Sequence, residues 1–159
     1  MPIYMKFEGI EGSVTTAGHE KWIELSSCSL GIHRHTTTPA GGKAREGGHP
    51  EISEIQITKQ FDAATPKILH ESVAGTFEKT VDLKWSTTTR DKTETYFHVE
   101  LKDCGITGYQ QSSGPDSIPQ ESLSLNFSKI TFTPSPLDAK GSPQKGAITS
   151  YDLALMKTS

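Results

Sequence analysis

Phe97-His98-Val99-Glu100-Leu101-Lys102 is the stretch on which the fold turns: apolar and polar residues alternate without a break across residues 97 to 102. A period of two places Phe97, Val99 and Leu101 on one face of an extended chain and His98, Glu100 and Lys102 on the other, the pattern of a half-buried β-strand. Upstream, Val81, Leu83 and Trp85 alternate in the same way with Asp82, Lys84 and Ser86, and Ile3, Met5 and Phe7 open the chain with the same spacing. Working outward, residues 21 to 31, 52 to 61, 104 to 111, 122 to 133 and 147 to 156 read as further strands, separated by clusters of Gly, Pro, Ser and Asp. About eight strands with turn residues between them predict a mainly β protein in which two packed sheets form a β-barrel.

Two strands change phase partway along. Ile23 and Leu25 give way to Cys28 and Leu30, and Leu123, Leu125 and Phe127 give way to Ile130 and Phe132. A bulge or a sharp bend would produce that, and such features let a strand turn a corner. One segment leaves the β pattern altogether. Thr65 as N-cap, Pro66 at the first helical position, the apolar stripe Ile68, Leu69 and Val73, and Gly75 as stop predict one short α-helix at about 66 to 74, placed to cover an open end or seam.

The stretch TTTPAGGKAREGGHP, residues 36 to 50, is rich in glycine and has no periodicity; it reads as a long mobile loop with a role in interaction. A second irregular stretch, residues 133 to 146, carries Pro134, Pro136 and Pro143. The 159 residues show no composition break and read as a single domain.

Hydrophobic residues make up 33% of the chain and the mean hydropathy is -0.48, which leaves it somewhat short of apolar surface and points to support from neighbouring copies. A formal net charge of -3 without a run of Lys or Arg gives no electrostatic footprint for nucleic acid or for an anionic lipid surface. The opening residues lack the basic start and apolar run of a secretory signal, and no segment approaches membrane-spanning length, so cytoplasmic synthesis without membrane insertion is expected. Cys28 and Cys104 are far apart and read as small core hydrophobes.

The chemistry-bearing patterns fail one by one. Gly41-Gly42-Lys43-Ala44 resembles a phosphate-binding loop, but Thr37 and Ala44 stand where such a loop needs Gly and Ser or Thr. His33 and His35 would share a strand face and His49 follows, yet no Cys or acidic ligand sits at supporting short spacing, so they read as surface histidines. No nucleophile elbow is present, and the acidic pairs Glu8 and Glu11, and Glu51 and Glu54, read as solvated charges. Trp22, Trp85, Tyr96 and Tyr109 lie in strand patterns and read as packing residues. The expectation is a protein that is not an enzyme, with no cofactor, no metal and no catalytic residue.

Several segments form a pattern together: Phe7-Glu8-Gly9-Ile10-Glu11-Gly12, His19 with Trp22-Ile23-Glu24-Leu25, and Ser27-Cys28-Ser29-Leu30-Gly31. Ile57-Thr58-Lys59-Gln60-Phe61-Asp62 leads into Thr65-Pro66-Lys67-Ile68-Leu69. Downstream come Leu101-Lys102-Asp103, Tyr109-Gln110, the stretch from Glu121 to Ile130, and Tyr151-Asp152-Leu153. Together they resemble the Hcp (haemolysin-coregulated protein) family of the type VI secretion system, and the segment from Ile57 to Leu69 is the most specific match. The resemblance implies a homo-hexameric ring that stacks into the inner tube, works with the spike and sheath proteins, carries effector proteins in its lumen and is secreted without a signal peptide. No further domain follows Tyr151-Asp152-Leu153, so cargo carriage is expected rather than a fused effector. The other reading of the same chain is a soluble effector-binding chaperone, or a secreted ring, that builds no tube.

Two site assignments follow from the resemblance. Ser29 matches the lumen-facing serine of the family's aromatic-Ser-aromatic-Gly motif, although Cys28 and Leu30 replace the aromatics; an ordinary strand serine facing solvent is the competing reading. The ring-stacking contacts fall on the glycine-rich loop, at Thr38, Gly41, Gly42, Lys43, Arg45, Glu46, Gly47 and Gly48.

Overall fold

The computed structural model describes residues 1–37, 41 and 46–158. Among these residues, twelve strands and one helix follow in the order β1 (Ile3–Phe7), β2 (Ile23–Leu25), β3 (Ser27–Ser29), β4 (Ile32–Thr37), β5 (Glu46–Ile52), β6 (Ile55–Gln60), α1 (Thr65–Ala74), β7 (Lys79–Thr89), β8 (Lys92–Ser112), β9 (Gln120–Asn126), β10 (Lys129–Pro134), β11 (Thr149–Asp152) and β12 (Lys157–Thr158). Antiparallel pairing builds a larger sheet in the order β12-β11-β10-β8-β7-β1-β2. A smaller one runs β3-β6-β9-β8, so β8 belongs to both.

The expected mainly β, two-sheet architecture with one helix is present, but no closed barrel is found among the described residues. The order of the larger sheet ends at β2 on one side and β12 on the other instead of returning on itself. The reason lies at Ser26, which separates β2, paired to β1, from β3, paired to β6. The sheets meet at that corner through the chain and the bond from the Ser26 amide to the Thr58 carbonyl, not through a continuous ladder.

Both phase changes in the sequence are sheet corners. Buried Leu25 and half-buried Cys28 flank Ser26, and buried Phe127 and Ile130 flank the step from β9 to β10. A third corner has the same spacing, Leu101 to Cys104, inside β8. There Asp103 takes a left-handed φ of 51°, and its carboxylate accepts the Ser128 hydroxyl at 2.8 Å. A step of three residues from one inward side chain to the next, where a straight strand takes a step of two, is what swings the buried face from one sheet to the other.

The core is the interior between the sheets: Met5, Ile23, Val81, Leu83, Val99 and Leu101 from the larger sheet meet Ile55, Ile57, Ile106, Leu123 and Leu125 from the smaller one, each exposed by no more than 4%. Helix α1 adds Ile68 to this core and packs on β8. Its start differs from the expectation. The N-cap is Ala64 without a side-chain cap bond, because the Thr65 hydroxyl is engaged elsewhere, accepting from the Asp62 amide and donating to Glu121. Gly75 ends the helix as expected, in the left-handed conformation at φ 67°.

Candidate functional site

The stretch read as a mobile loop from 36 to 50 is corrected by the structure: Thr36 and Thr37 lie in β4, and Glu46 to Pro50 lie in β5. Pairing of Thr36 with Gly47 and Thr37 with Glu46 continues the ladder that starts at Ile32 and Ile52. The periodicity was invisible because β4 is exposed along its whole length and the packing on β5 is confined to its end, at Pro50 and Ile52, so little selects apolar residues at alternate positions. Every residue of β4 is exposed. Among the described residues the two strands pair only with each other, in a separate sheet. Of the predicted contact residues, Glu46, Gly47 and Gly48 belong to β5, and Gly41 is exposed with φ 105°. Thr38, Gly42, Lys43 and Arg45 lie outside the described residues.

A groove of about 500 Å³ runs between this ribbon and the C-terminal strands, with Pro50 and Ile52 on one wall and Tyr151, Leu153 and Met156 on the other. His35 and His49 border it. The His35 ring lies 3.8 Å from Glu51. No group of three or more His, Cys, Asp or Glu side chains able to hold a metal ion is found among the described residues.

Ser29 lies at the end of β3, exposed on the outer face of the smaller sheet and opposite Gln56. Cys28 points inward and is half-buried, packed against the core. Burial pushes both the Cys28 and the Cys104 thiol up to about 12, which suppresses the thiolate at neutral pH. Trp85 packs on Phe97 with ring centroids 4.9 Å apart, and Trp22 meets His19 edge to face.

Sequence reading missed a buried polar cluster. Lys59 and Glu121 have no solvent exposure and form an ion pair across β6 and β9. Asp62 lies 2.9 Å from the Lys59 ammonium, which also donates to the Gln60 carbonyl at 2.8 Å. The second carboxylate oxygen of Glu121 accepts the Tyr109 hydroxyl at 2.6 Å, and burial with this carboxylate beside it raises the Tyr109 phenol above its ordinary range. Every charge in the cluster therefore has partners, which is the condition for keeping it away from water. The signal was present in the alternation itself: Lys59 follows Ile55 and Ile57, and Glu121 precedes Leu123 and Leu125, each at an inward position.

His19 is a second buried polar group. It is 5% exposed, stacks on Tyr4 at 4.6 Å, and neither ring nitrogen has a hydrogen-bond partner. Desolvation, with Lys84 adding to it, lowers its pKa and keeps the ring neutral.

Two packed sheets sharing a long strand, one helix on the core and a separate exposed ribbon define a mainly β, two-sheet class of protein. The family model described as type VI secretion system effector, Hcp, matches residues 4–133, and the chain belongs to that family. It is similar over 99% of both chains to a type six secretion system protein of known structure, at 25% identity with a TM-score of 0.90. The same fold is found in Hcp1 from Salmonella typhimurium, at 19% identity and TM-score 0.74 over 99% of this chain and 98% of that one. Hcp1 from E. coli EAEC 042 shares it at 21% identity and TM-score 0.73, over 96% and 99%. No curated protein matches the sequence. No helix among the described residues is long and apolar enough to cross a membrane.

Proposed function

We propose that the protein is a non-enzymatic subunit of the type VI secretion inner tube. Copies assemble into hexameric rings that stack, are enclosed by the sheath, carry effectors in the lumen and leave the cell with the spike. The observation that carries this reading, beside family membership, is the β4–β5 ribbon. A two-stranded hairpin exposed along β4 and paired only with itself is marginal alone in water. Contact with a neighbouring ring covers β4, exposed along its whole length, where the body of the subunit supplies only the packing at Ile52. Ser29, outward on the smaller sheet, is assigned to the lumen in this reading, and Thr38, Gly41, Gly42, Lys43, Arg45, Glu46, Gly47 and Gly48 make the ring-to-ring contact.

The test is the solution mass of the untagged protein by light scattering, with negative-stain imaging of the main peak. Hexamer-mass rings with an open centre are expected. A monomer at every concentration would remove the ring and leave the chaperone reading. Shortening the ribbon at its tip, with Ile32–Arg34 and Pro50–Ile52 kept in place, is expected to abolish tubes and leave rings.

A further inference from the structure

Between Ile10 and Ile23 the chain leaves the larger sheet and returns to it without adding a strand. This excursion, residues 11–22, lies on the outer face of that sheet. Tyr4 of β1 points outward there, next to the core residue Met5, and its hydroxyl meets Thr16 at 3.4 Å. The two legs of the excursion bond to each other. The Gly12 amide reaches the Lys21 carbonyl, the Lys21 amide the Val14 carbonyl, and the Val14 amide the Trp22 carbonyl. On the body, the Ala63 amide donates to the Ser13 hydroxyl at 3.3 Å. Grooves of about 370 and 400 Å³ undercut the excursion, one beside Ser13 and Val14 and the other beside Glu20 and Trp22.

Of residues 11–22, His19 alone is buried. Gly18 and Lys21, with left-handed φ of 83° and 65°, turn the chain on either side of it. The ring is thereby set between Tyr4 and Trp22, at centroid distances of 4.6 and 5.1 Å. The excursion is thus anchored by one imidazole, and an imidazole can change its charge. Neutral, the ring has one N–H and one acceptor nitrogen; charged, it has two N–H groups. Neither nitrogen has a partner in this site.

The groups facing the ring decide how it takes a proton. From β7 comes Lys84, whose ammonium lies 4.9 Å from the centre of the Trp22 ring that His19 also touches. On the same outer face β1 adds Tyr4 and Lys6, and β2 adds Glu24, in register with Tyr4. β8 adds His98, in register with Lys84 and bonded to Asp82. The excursion itself brings Glu20 and Lys21, both exposed. Desolvation is the strongest influence on His19 and Lys84 the next, and both oppose its charge; Glu20 favours it more weakly. The closed site excludes the proton, and a ring released into water accepts it.

We infer that residues 11–22 are an acid-released strap: protonated His19 leaves its place between Tyr4 and Trp22, and the strap lifts from β1 and β7 while both sheets stay paired. The interior of the smaller sheet has no such weak point, because its buried charges, Lys59 and Glu121, partner each other. Lifting uncovers Tyr4 and Trp22 and frees Lys84 from the Trp22 ring, so a covered face becomes an aromatic and basic one. A ring in water carries its proton below about pH 6.5. From there downward the open form gains up to about tenfold per pH unit, until the closed site itself takes the proton. The strap belongs to one subunit and does not rest on ring assembly.

Hydrogen exchange of the intact protein, resolved by peptide and corrected for the intrinsic rate at each pH, tests this. Between about pH 7.5 and about pH 5, the amides of Gly12, Val14, Lys21 and Trp22 are expected to lose protection about tenfold while those of β7 and β8 keep theirs. His19→Phe is expected to abolish the loss. Lys84→Met leaves His19 in place and removes the cation opposing its charge, so the loss is expected to shrink to about threefold. Strap amides equally protected at both pH values overturn the inference, as do sheet amides that lose protection in step with them. His19→Phe protein that keeps the acid response overturns it too. Should that variant not fold, Lys84→Met decides, and a loss as large as the parent's overturns the inference.

Discussion

Lys59 on β6 and Glu121 on β9 are register partners whose side chains pair inside the core, neither reaching solvent. The pair ties the middle strands of the smaller sheet to each other and, through Thr65, to the first turn of α1. Removing one partner leaves the other charge desolvated. Glu121→Leu is therefore expected to cost about 3–5 kcal/mol, and Tyr109→Phe, which deletes one bond to the charged carboxylate, about 1.5–3 kcal/mol. Urea denaturation of each variant checks the order.

His19 makes stability depend on pH. Its folded-state pKa is depressed, so the unfolded chain takes up a proton first. Stability is full above the ordinary imidazole value of about 6.5 and declines as pH falls from there towards the folded pKa. His19→Phe is expected to flatten that decline. Thermal midpoints of both proteins across the acidic range give the comparison, and parallel curves would remove His19 as the cause.

Both cysteines are free, and burial holds each thiol near 12. Native protein is expected to react negligibly with a thiol-specific disulfide reagent at mildly alkaline pH, and denatured protein at both positions. Rapid native reaction at Cys28, the half-buried one, would show that the edge beside β3 opens.

Gly105 faces the segment that leaves α1. A Cβ there would sit 2.5 Å from the Phe77 ring and from the Thr76 carbonyl oxygen. Gly105→Ala must push that segment away from β8, at a cost of about 1–3 kcal/mol. Calorimetry of the variant measures it, with Gly114→Ala, whose nearest neighbour lies 3.4 Å away, as the mild control.

The alternation in the sequence carried the strands of the core because burial on one side writes a period of two into the residues. It carried two of the three corners as phase changes. The third, at Asp103, was hidden because residues 97 to 101 and 104 to 111 read as separate strands, whereas β8 runs unbroken from Lys92 to Ser112. The outer part of β8 and its partner in β7, rich in Thr, Lys and Glu, escaped for the same reason as the β4–β5 ribbon: neither end buries a face. No closed barrel is found among the described residues, and at Ser26 no residue pattern distinguishes a corner bridged by a ladder from one turned by the chain alone. The helix end was legible in Gly75, while its start was misread because Thr65, suited to capping, serves Glu121 instead.

A strand of 21 residues held in both sheets acts as a mechanical spine. Force applied along the larger sheet is passed through β8 to the smaller one without crossing a flexible joint, and the Asp103 bend sets the angle at which it arrives. Pulling the chain from its ends should give one cooperative rupture rather than a step for each sheet.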